Sequence, residues 1–289
     1  VADRYTVWPL LDFQSAIEDY EQGVTHIVRG KDLMDSTRKQ SLLYEHLGWQ
    51  YPETLYWGRV KVHEFGGFST SSMRASIESG ERTGWEDLRL PTIQSLRRRG
   101  FDARALRDFW VDLGVTQKDI SVSMQTIESL NSSALDSTVE RRSFVASPVS
   151  LDLDGHDGAV VEPPRHPDGE ITGTRSWVLA KSIYIQEADC GNGSLRLKEF
   201  ADISISGSKI TIDSLERSDN RPIVQWLPES MVREAVLFVP NGDEIDEIEG
   251  LLEDFELKVG NVYQLERIGF AMLEKMSDGC PAELVWLHG

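Results

Sequence analysis

At 289 residues with 40% hydrophobic content the chain is long enough for two or three cores, and its 30 basic against 48 acidic residues give a formal net charge of −18. No run approaches the roughly 18 apolar residues of a membrane-spanning helix, and the opening Val1-Ala2-Asp3-Arg4-Tyr5-Thr6-Val7-Trp8-Pro9 lacks the basic-then-apolar pattern of a secretory signal. Two cysteines in unrelated contexts, Cys190 and Cys280, and six histidines never at ligand spacing exclude a disulfide scaffold and a structural metal site, so the expected compartment is reducing and cytoplasmic.

In chain order, Phe13, Ile17 and Tyr20 have helical spacing, and Thr25-His26-Ile27-Val28 reads as a short buried strand. Residues 33–47 predict an amphipathic helix carrying Leu33, Leu42, Leu43 and Leu47, stopped by Gly48 with Pro52 beyond. Residues 1–58 therefore read as the end of an α/β unit. Residues 59–142 turn helical and Arg-rich. A Ser/Thr cluster at 69–72 precedes a helix over 73–79 that ends at Gly80. Pro91-Thr92 opens a second helix, closed by Gly100, and Asp102 caps a third whose Leu106, Phe109, Trp110 and Leu113 form a core stripe.

From 143 onward, short runs rich in Val, Ile, Ser and Thr alternate with turn residues, at Ser176–Ala180, Ile203–Ser206, Lys209–Ile212, Ile223–Leu227, Val236–Pro240 and Val262–Arg267. Strands at that spacing predict β-barrels. One segment departs: Ile245, Ile248, Leu251, Leu252 and Phe255 have helical spacing and predict a short helix. The expected fold class is multidomain, α/β plus all-β, with domains at 1–58, 59–142 and 143–289.

Charge is unevenly spread. Residues 1–150 carry 18 basic and 21 acidic side chains, 151–289 carry 12 and 27, and 59–107 carry 10 and 6. Only 9 of the 30 basic residues are Lys. Few Lys, many Arg and an acidic surplus predict a solvated shell suited to high salt, as in a halophile. Binding to a polyanion would then lean on hydrogen bonds and shape, because salt weakens phosphate contacts steeply.

Four pieces, in order, carry a resemblance. The first is Leu11-Asp12-Phe13 followed by Gly23-Val24-Thr25-His26-Ile27-Val28-Arg29-Gly30-Lys31-Asp32 and Thr37-Arg38-Lys39-Gln40. The second is Phe68-Ser69-Thr70-Ser71-Ser72-Met73-Arg74, and the third Gly84-Trp85-Glu86-Asp87-Leu88-Arg89-Leu90-Pro91-Thr92 with Leu96-Arg97-Arg98-Arg99-Gly100. The last comprises Ile223-Val224-Gln225-Trp226-Leu227-Pro228 and Gln264-Leu265-Glu266-Arg267-Ile268-Gly269-Phe270. Together they resemble the archaeal-type, non-bacterial branch of the glutamyl- and glutaminyl-tRNA synthetases, over essentially the whole chain, and the likeness is to the C-terminal half.

The resemblance implies the later part of a Rossmann catalytic domain, a helical acceptor-stem region and anticodon-binding β-barrels, in a cytoplasmic monomer. It implies ATP, with Mg²⁺, activating glutamate for transfer to the 3′ end of tRNA(Glu), with tRNA(Gln) as a second candidate. Arg29 and Leu11 would contact the amino acid. Arg29 favours glutamate, since members selecting glutamine have a neutral residue there and a guanidinium grips a carboxylate through two parallel hydrogen bonds. Ser69, Thr70, Ser71 and Ser72 resemble the mobile KMSKS loop over the ATP phosphates, with Ser72 where Lys usually lies and Lys61 or Arg74 left to supply charge.

Arg89, Arg97, Arg98 and Arg99 resemble the tRNA acceptor-stem segment, where Leu88 replaces a usual Pro. Consecutive arginines on a helix spread over roughly 200°, so one or two would reach RNA and another would pair with an acid such as Asp102. Trp226 and Arg267 are candidates for base contact, although an aromatic in a barrel is more often core.

No initiator Met and no upstream ATP signature precede Leu11, so the chain is expected to be part of a longer enzyme and inactive alone in ATP–pyrophosphate exchange. A non-catalytic tRNA-binding module and a glutaminyl enzyme are the competing readings.

Overall fold

Glycine stops and polar caps set several of the helix ends in the first 142 residues. In the computed structural model, which describes residues 4–65, 69–153, 155–168 and 171–289, α1 spans Leu11–Glu21, β1 His26–Gly30, α2 Met34–Leu47 and β2 Glu53–Trp57. Strands β1 and β2 pair in parallel from His26↔Glu53 to Gly30↔Trp57. A parallel pair needs a crossover, and α2 supplies it. Gly48 closes α2 at φ 71°, in the left-handed region glycine enters without a Cβ penalty. A second parallel pair joins β3, Val60–Val62, to β4, Ile120–Val122. These elements lie in one compact unit made of Val1–Gly66 and Asp108–Thr126.

The buried face of α2 differs from the one its leucines predict. Leu33, Leu42 and Leu47 are exposed, whereas Gln40 and Tyr44 are buried. The reason is hydrogen bonding between helices. Gln40 Nε2 donates to the Asp12 carbonyl (3.0 Å) and Tyr44 Oη to the Ala16 carbonyl (2.7 Å), so a pair four residues apart on α2 meets a carbonyl pair four apart on α1. The leucines, with Val28 and Leu55 of the strands, leave apolar surface open to solvent around a two-stranded parallel sheet.

The other unit is Gly67–Arg107 with Ile127–Gly289. Its first helix, α3, spans Thr70–Glu78 and begins inside the Ser/Thr cluster rather than after it, because Ser69 is the N-cap and forms a capping box with Ser72. Helix α4, Ile93–Arg99, starts at the Thr92 cap and stops at Gly100. There φ is 100°, and a Cβ would stand 2.8 Å from Val262 Cγ2 and 2.9 Å from Met272 Cε, so glycine is required on two counts. Helix α5, Ala103–Leu113, its start capped by Asp102 accepting from the Arg104 amide at 2.7 Å, and α6, Met124–Leu135, each carry residues of both units.

Two seven-stranded mixed sheets follow. In spatial order the first runs Ile223–Val224, Ser194–Leu197, Asp202–Ser206, Lys209–Ser214, Pro148–Leu153, Ser182–Gln186, Trp226–Pro228. The second runs Arg141–Arg142, Val262–Leu265, Gly269–Lys275, Ala282–His288, Val232–Asn241, Glu244–Glu253, Phe144–Ala146. In each sheet the two edge strands are neighbours in sequence, separated only by Gln225 or by Ser143. A sheet whose edges are successive pieces of one segment is nearly closed, and so leaves little unpaired edge. Separate cores fill the two barrels, one around Trp226, Trp177, Ile183 and Leu195, the other around Leu237, Leu252, Leu265 and Leu284.

The helix expected at 245–255 is instead the strand Glu244–Glu253, paired antiparallel with Val232–Asn241 from Asn241↔Glu244 to Val232↔Glu253. Gly242 at φ 61° and Asp243 form the two-residue connection. Asn-Gly-Asp is a hairpin signal that outweighs the fortuitous three-residue apolar spacing.

One buried polar cluster predicts a pH dependence. The Asn131 side-chain oxygen accepts from the Asp102 amide (2.8 Å), so its NH₂ faces His288 Nε2 at 2.8 Å and that nitrogen must be the acceptor. Burial, with the nearby Arg99 charge, pushes His288 down to about 4. The unfolded histidine titrates near 6.5, so the unfolded chain takes up a proton that the folded one refuses as pH falls from about 6.5 towards 4, and stability falls over that window. Thermal midpoints across it are expected to drop more steeply for the wild type than for His288→Gln. Parallel curves would remove His288 as the cause.

Candidate active site and nucleic-acid interface

The first unit holds a cavity of about 360 Å³ lined by Leu11 and Asp12 of α1, Val28 and Arg29 of β1, and Ser36 and Gln40 of α2. Both residues expected to meet the amino acid, Arg29 and Leu11, are on its wall. Leu11 is the exposed first residue of α1. Arg29 is half-buried at the carboxyl end of β1, where open α/β sheets bind ligands. Its Nη1 donates to Gln40 Oε1 (2.9 Å) and to Thr37 Oγ1 (3.3 Å), and among the described residues it forms no ion pair. Asp12, on the same cavity wall, is held ionised by the Ser36 hydroxyl, by Lys39, whose ammonium lies 3.3 Å from Asp12 and 3.2 Å from Asp35, and by the Arg29 charge. A guanidinium whose hydrogen-bond partners are neutral keeps donors free to meet a carboxylate.

Arg29 belongs to the first unit and Ser69–Ser72 to the second. Ser69 and Ser72 are engaged with each other: Ser69 Oγ accepts from the Ser72 amide at 3.1 Å, and Ser72 Oγ accepts from the Ser69 amide at 3.0 Å. Thr70, Ser71 and Arg74 are exposed on the first turns of α3. Lys61 is exposed on β3 of the first unit.

The arginines expected to meet RNA divide by environment. Arg89 is bound to Asp87 (2.7–2.8 Å) and to the carbonyls of Asp243 and Glu81. That pairing and backbone amides hold Asp87 far below the usual carboxylate range, against its burial. Arg98 makes a two-pronged pair with Glu274, at 2.5 and 2.8 Å. Arg99 is buried, donates to the Leu287 and Trp286 carbonyls, and is lowered by burial to about 10. Arg97 is exposed and has no hydrogen bond or ion pair among the described residues. The acid proposed as a partner for the triplet, Asp102, binds Arg104 instead, because it caps the following helix, whereas the acid that meets Arg98 lies 176 positions away. Sequence distance hid it.

A second cavity of about 360 Å³ lies between strands of the two barrels, with Arg141, Arg175, Lys198, Gln264 and Arg267 on its wall. Among the described residues three buried polar atoms there have no hydrogen-bond partner: Arg141 Nη1, Arg175 Nε and Gln264 Oε1. Unpaired buried donors and an acceptor are costly, and two acids, Glu199 and Glu266, share the wall, Glu266 pairing with Lys198 and lying 3.4 Å from Arg175. Arg267 lines this cavity and pairs with Asp189 at 3.0 Å. Trp226 is fully buried, with its Nε1 on the Lys198 carbonyl at 2.9 Å, and is a core residue. Sequence reasoning missed Arg141, Arg175 and Lys198; the Arg141-Arg142 doublet was the available signal.

Among the described residues no group of three or more His, Cys, Asp or Glu side chains is placed to hold a metal ion, and both cysteines are free. No helix is long and apolar enough to cross a membrane.

Comparison with known proteins gives the family. A family described as tRNA synthetases class I (E and Q), catalytic domain, matches residues 1–137, and its anti-codon binding domain matches residues 139–219. The chain belongs to that family. It is 42% identical over 293 residues to a glutamate–tRNA ligase of Methanococcoides burtonii, covering 98% of this chain and 51% of that protein. A glutamate–tRNA ligase of Methanosarcina mazei is 40% identical over 95% of this chain and 49% of its own length, and one of Archaeoglobus fulgidus is 38% identical over 96% and 50%. The chain spans about half the length of the curated relatives it matches.

Proposed function

We propose that the protein carrying this chain is a glutamate–tRNA ligase, which uses ATP to activate glutamate and passes the glutamyl group to the 3′ end of tRNA(Glu). The observation that carries this reading is Arg29, which lines a cavity, is held by neutral acceptors and, among the described residues, is hydrogen-bonded to no carboxylate. The side-chain carboxylate of glutamate would offer it a negative charge and two acceptor oxygens, whereas the amide of glutamine is neutral, has one acceptor oxygen and would set its NH₂ against a second donor. A glutaminyl enzyme is therefore disfavoured.

In this reading residues 1–58 supply the amino-acid side of a Rossmann site, 59–142 the ATP loop and acceptor-stem contacts, and 143–289 the anticodon-binding barrels. ATP, with its Mg²⁺, is a substrate. Its phosphates would meet the exposed Thr70 and Ser71 hydroxyls, with Arg74 or Lys61 supplying the charge that Ser72 lacks. The open apolar surface around the two-stranded parallel sheet supports a larger catalytic domain, because parallel strands are normally covered on both faces. Cytoplasmic location and a monomeric state complete the reading, with tRNA(Gln) as a second possible acceptor.

The amino-acid dependence of ATP–pyrophosphate exchange by the full-length protein tests it: glutamate is expected to drive exchange, and exchange driven by glutamine alone would overturn it. On the RNA side, Arg97 is the direct phosphate contact, while Arg89, Arg98 and Arg99 are held by protein and position the segment. Arg97→Ala is expected to weaken tRNA binding and to lower the slope of log affinity against log salt by about one. An unchanged slope would remove Arg97 from the interface.

A further inference from the structure

A guanidinium can be fixed beside a cavity in two ways with opposite consequences. A carboxylate holds it firmly but cancels its charge; a neutral acceptor leaves the charge for a ligand. Beside Arg29 the second arrangement is present, and its centre is the Gln40 amide. Gln40 is only 2% exposed, and its four hydrogen-bonding positions are all filled. Oε1 accepts from Arg29 Nη1 (2.9 Å) and Tyr51 Oη (2.8 Å), and Nε2 donates to the Asp12 carbonyl (3.0 Å) and Ser15 Oγ (2.6 Å). The orientation is unambiguous, because Arg29 can only donate and the Asp12 carbonyl can only accept. Two helices and Tyr51 thus lock one oxygen against Arg29.

We propose that Gln40 is a positioning and selectivity-setting residue of this site, one that aims the Arg29 guanidinium into the cavity while leaving its positive charge for the side-chain carboxylate of the amino-acid substrate. The proposal rests on the reading of Arg29 given above. It explains why this buried position of α2 is an amide rather than a leucine or a glutamate. A leucine would free Arg29 to swing towards Asp12. A glutamate of the same shape would pair with Arg29, compete with the substrate carboxylate, and set an anionic oxygen against the Asp12 carbonyl, which no longer has a donor.

The test compares Gln40→Glu, Gln40→Met and Arg29→Gln in the full-length protein, reading KM for glutamate and for ATP, kcat, calorimetric glutamate affinity and the melting temperature. Gln40→Met keeps the charge and loses the anchor, so KM for glutamate is expected to rise severalfold, with kcat and KM for ATP close to wild type. Gln40→Glu is expected to weaken glutamate binding further, by on the order of tenfold beyond the methionine variant, without a matching further fall in melting temperature. Equal losses in the two variants, following the melting temperature, would reduce Gln40 to a structural residue and overturn the proposal, as would an unchanged KM in both. An Arg29→Gln variant that binds glutamate normally would be a separate outcome: it removes the reading of Arg29, and the role of Gln40 falls with it.

Discussion

Replacing Arg29 by alanine is expected to lower glutamate-dependent ATP–pyrophosphate exchange of the full-length protein, at subsaturating glutamate, by about two orders of magnitude. Two charge-assisted hydrogen bonds to one carboxylate are lost, each contributing about 1.5–3 kcal/mol, and about 1.4 kcal/mol is a factor of ten. Arg29 is half-buried and its own protein partners are neutral, so folding should suffer by only about 1 kcal/mol. The loss should appear mainly in KM for glutamate. Arg29→Lys should recover only part of it, because an ammonium cannot make the parallel pair of bonds. Exchange within about threefold of wild type in the alanine variant would mean that some other cation binds the amino acid.

The second large effect concerns folding. Glu253 is fully buried at the end of the strand Glu244–Glu253, and three donors converge on it: Arg175 Nη1 at 2.5 Å, Trp177 Nε1 at 2.7 Å and the Ser143 amide at 3.1 Å. Ser143 is the residue between the two edge strands of one barrel, and its hydroxyl donates to Gln225 Oε1 at 3.0 Å, the residue in the same place in the other. Gln225, with Lys198, donates in turn to Glu266, which also lies 3.4 Å from Arg175. The points where the two sheets nearly close are therefore joined through one buried charged network.

Removing one member of such a network strands the others without water, at a cost of about 3–5 kcal/mol. Glu253→Ala should lower the melting temperature by on the order of 10 °C, given about 2–4 °C per kcal/mol for a unit of this size. Glu253→Gln, which keeps one acceptor oxygen, should cost less. A melting temperature within about 2 °C of wild type for the alanine variant would show that the barrels close independently of this network.

Much of the helical part was legible because its signals are local. Gly48, Gly100, Thr92 and Asp102 act within a few residues of themselves, and the structure places each at the helix end its chemistry predicts. The exceptions are also local in origin. The cluster at 69–72 is its own cap, so α3 begins three residues before the predicted start. The apolar spacing at 245–255 mimicked a helix until the Asn241-Gly242-Asp243 turn was seen to pair it with the preceding strand.

The sequence by itself determined the family and several helix ends, and it singled out Arg29 as a candidate, since each rests on residue types at fixed short spacings. Tertiary structure alone decided what surrounds them. It set neutral Gln40 rather than an acid beside Arg29, it consumed Arg98 and Arg99 with partners more than 170 positions away while leaving Arg97 exposed, and it brought Ser143 and Gln225 together. Electrostatic and hydrogen-bonding roles depend on distance in space and on exclusion of water, and neither is encoded by spacing along the chain.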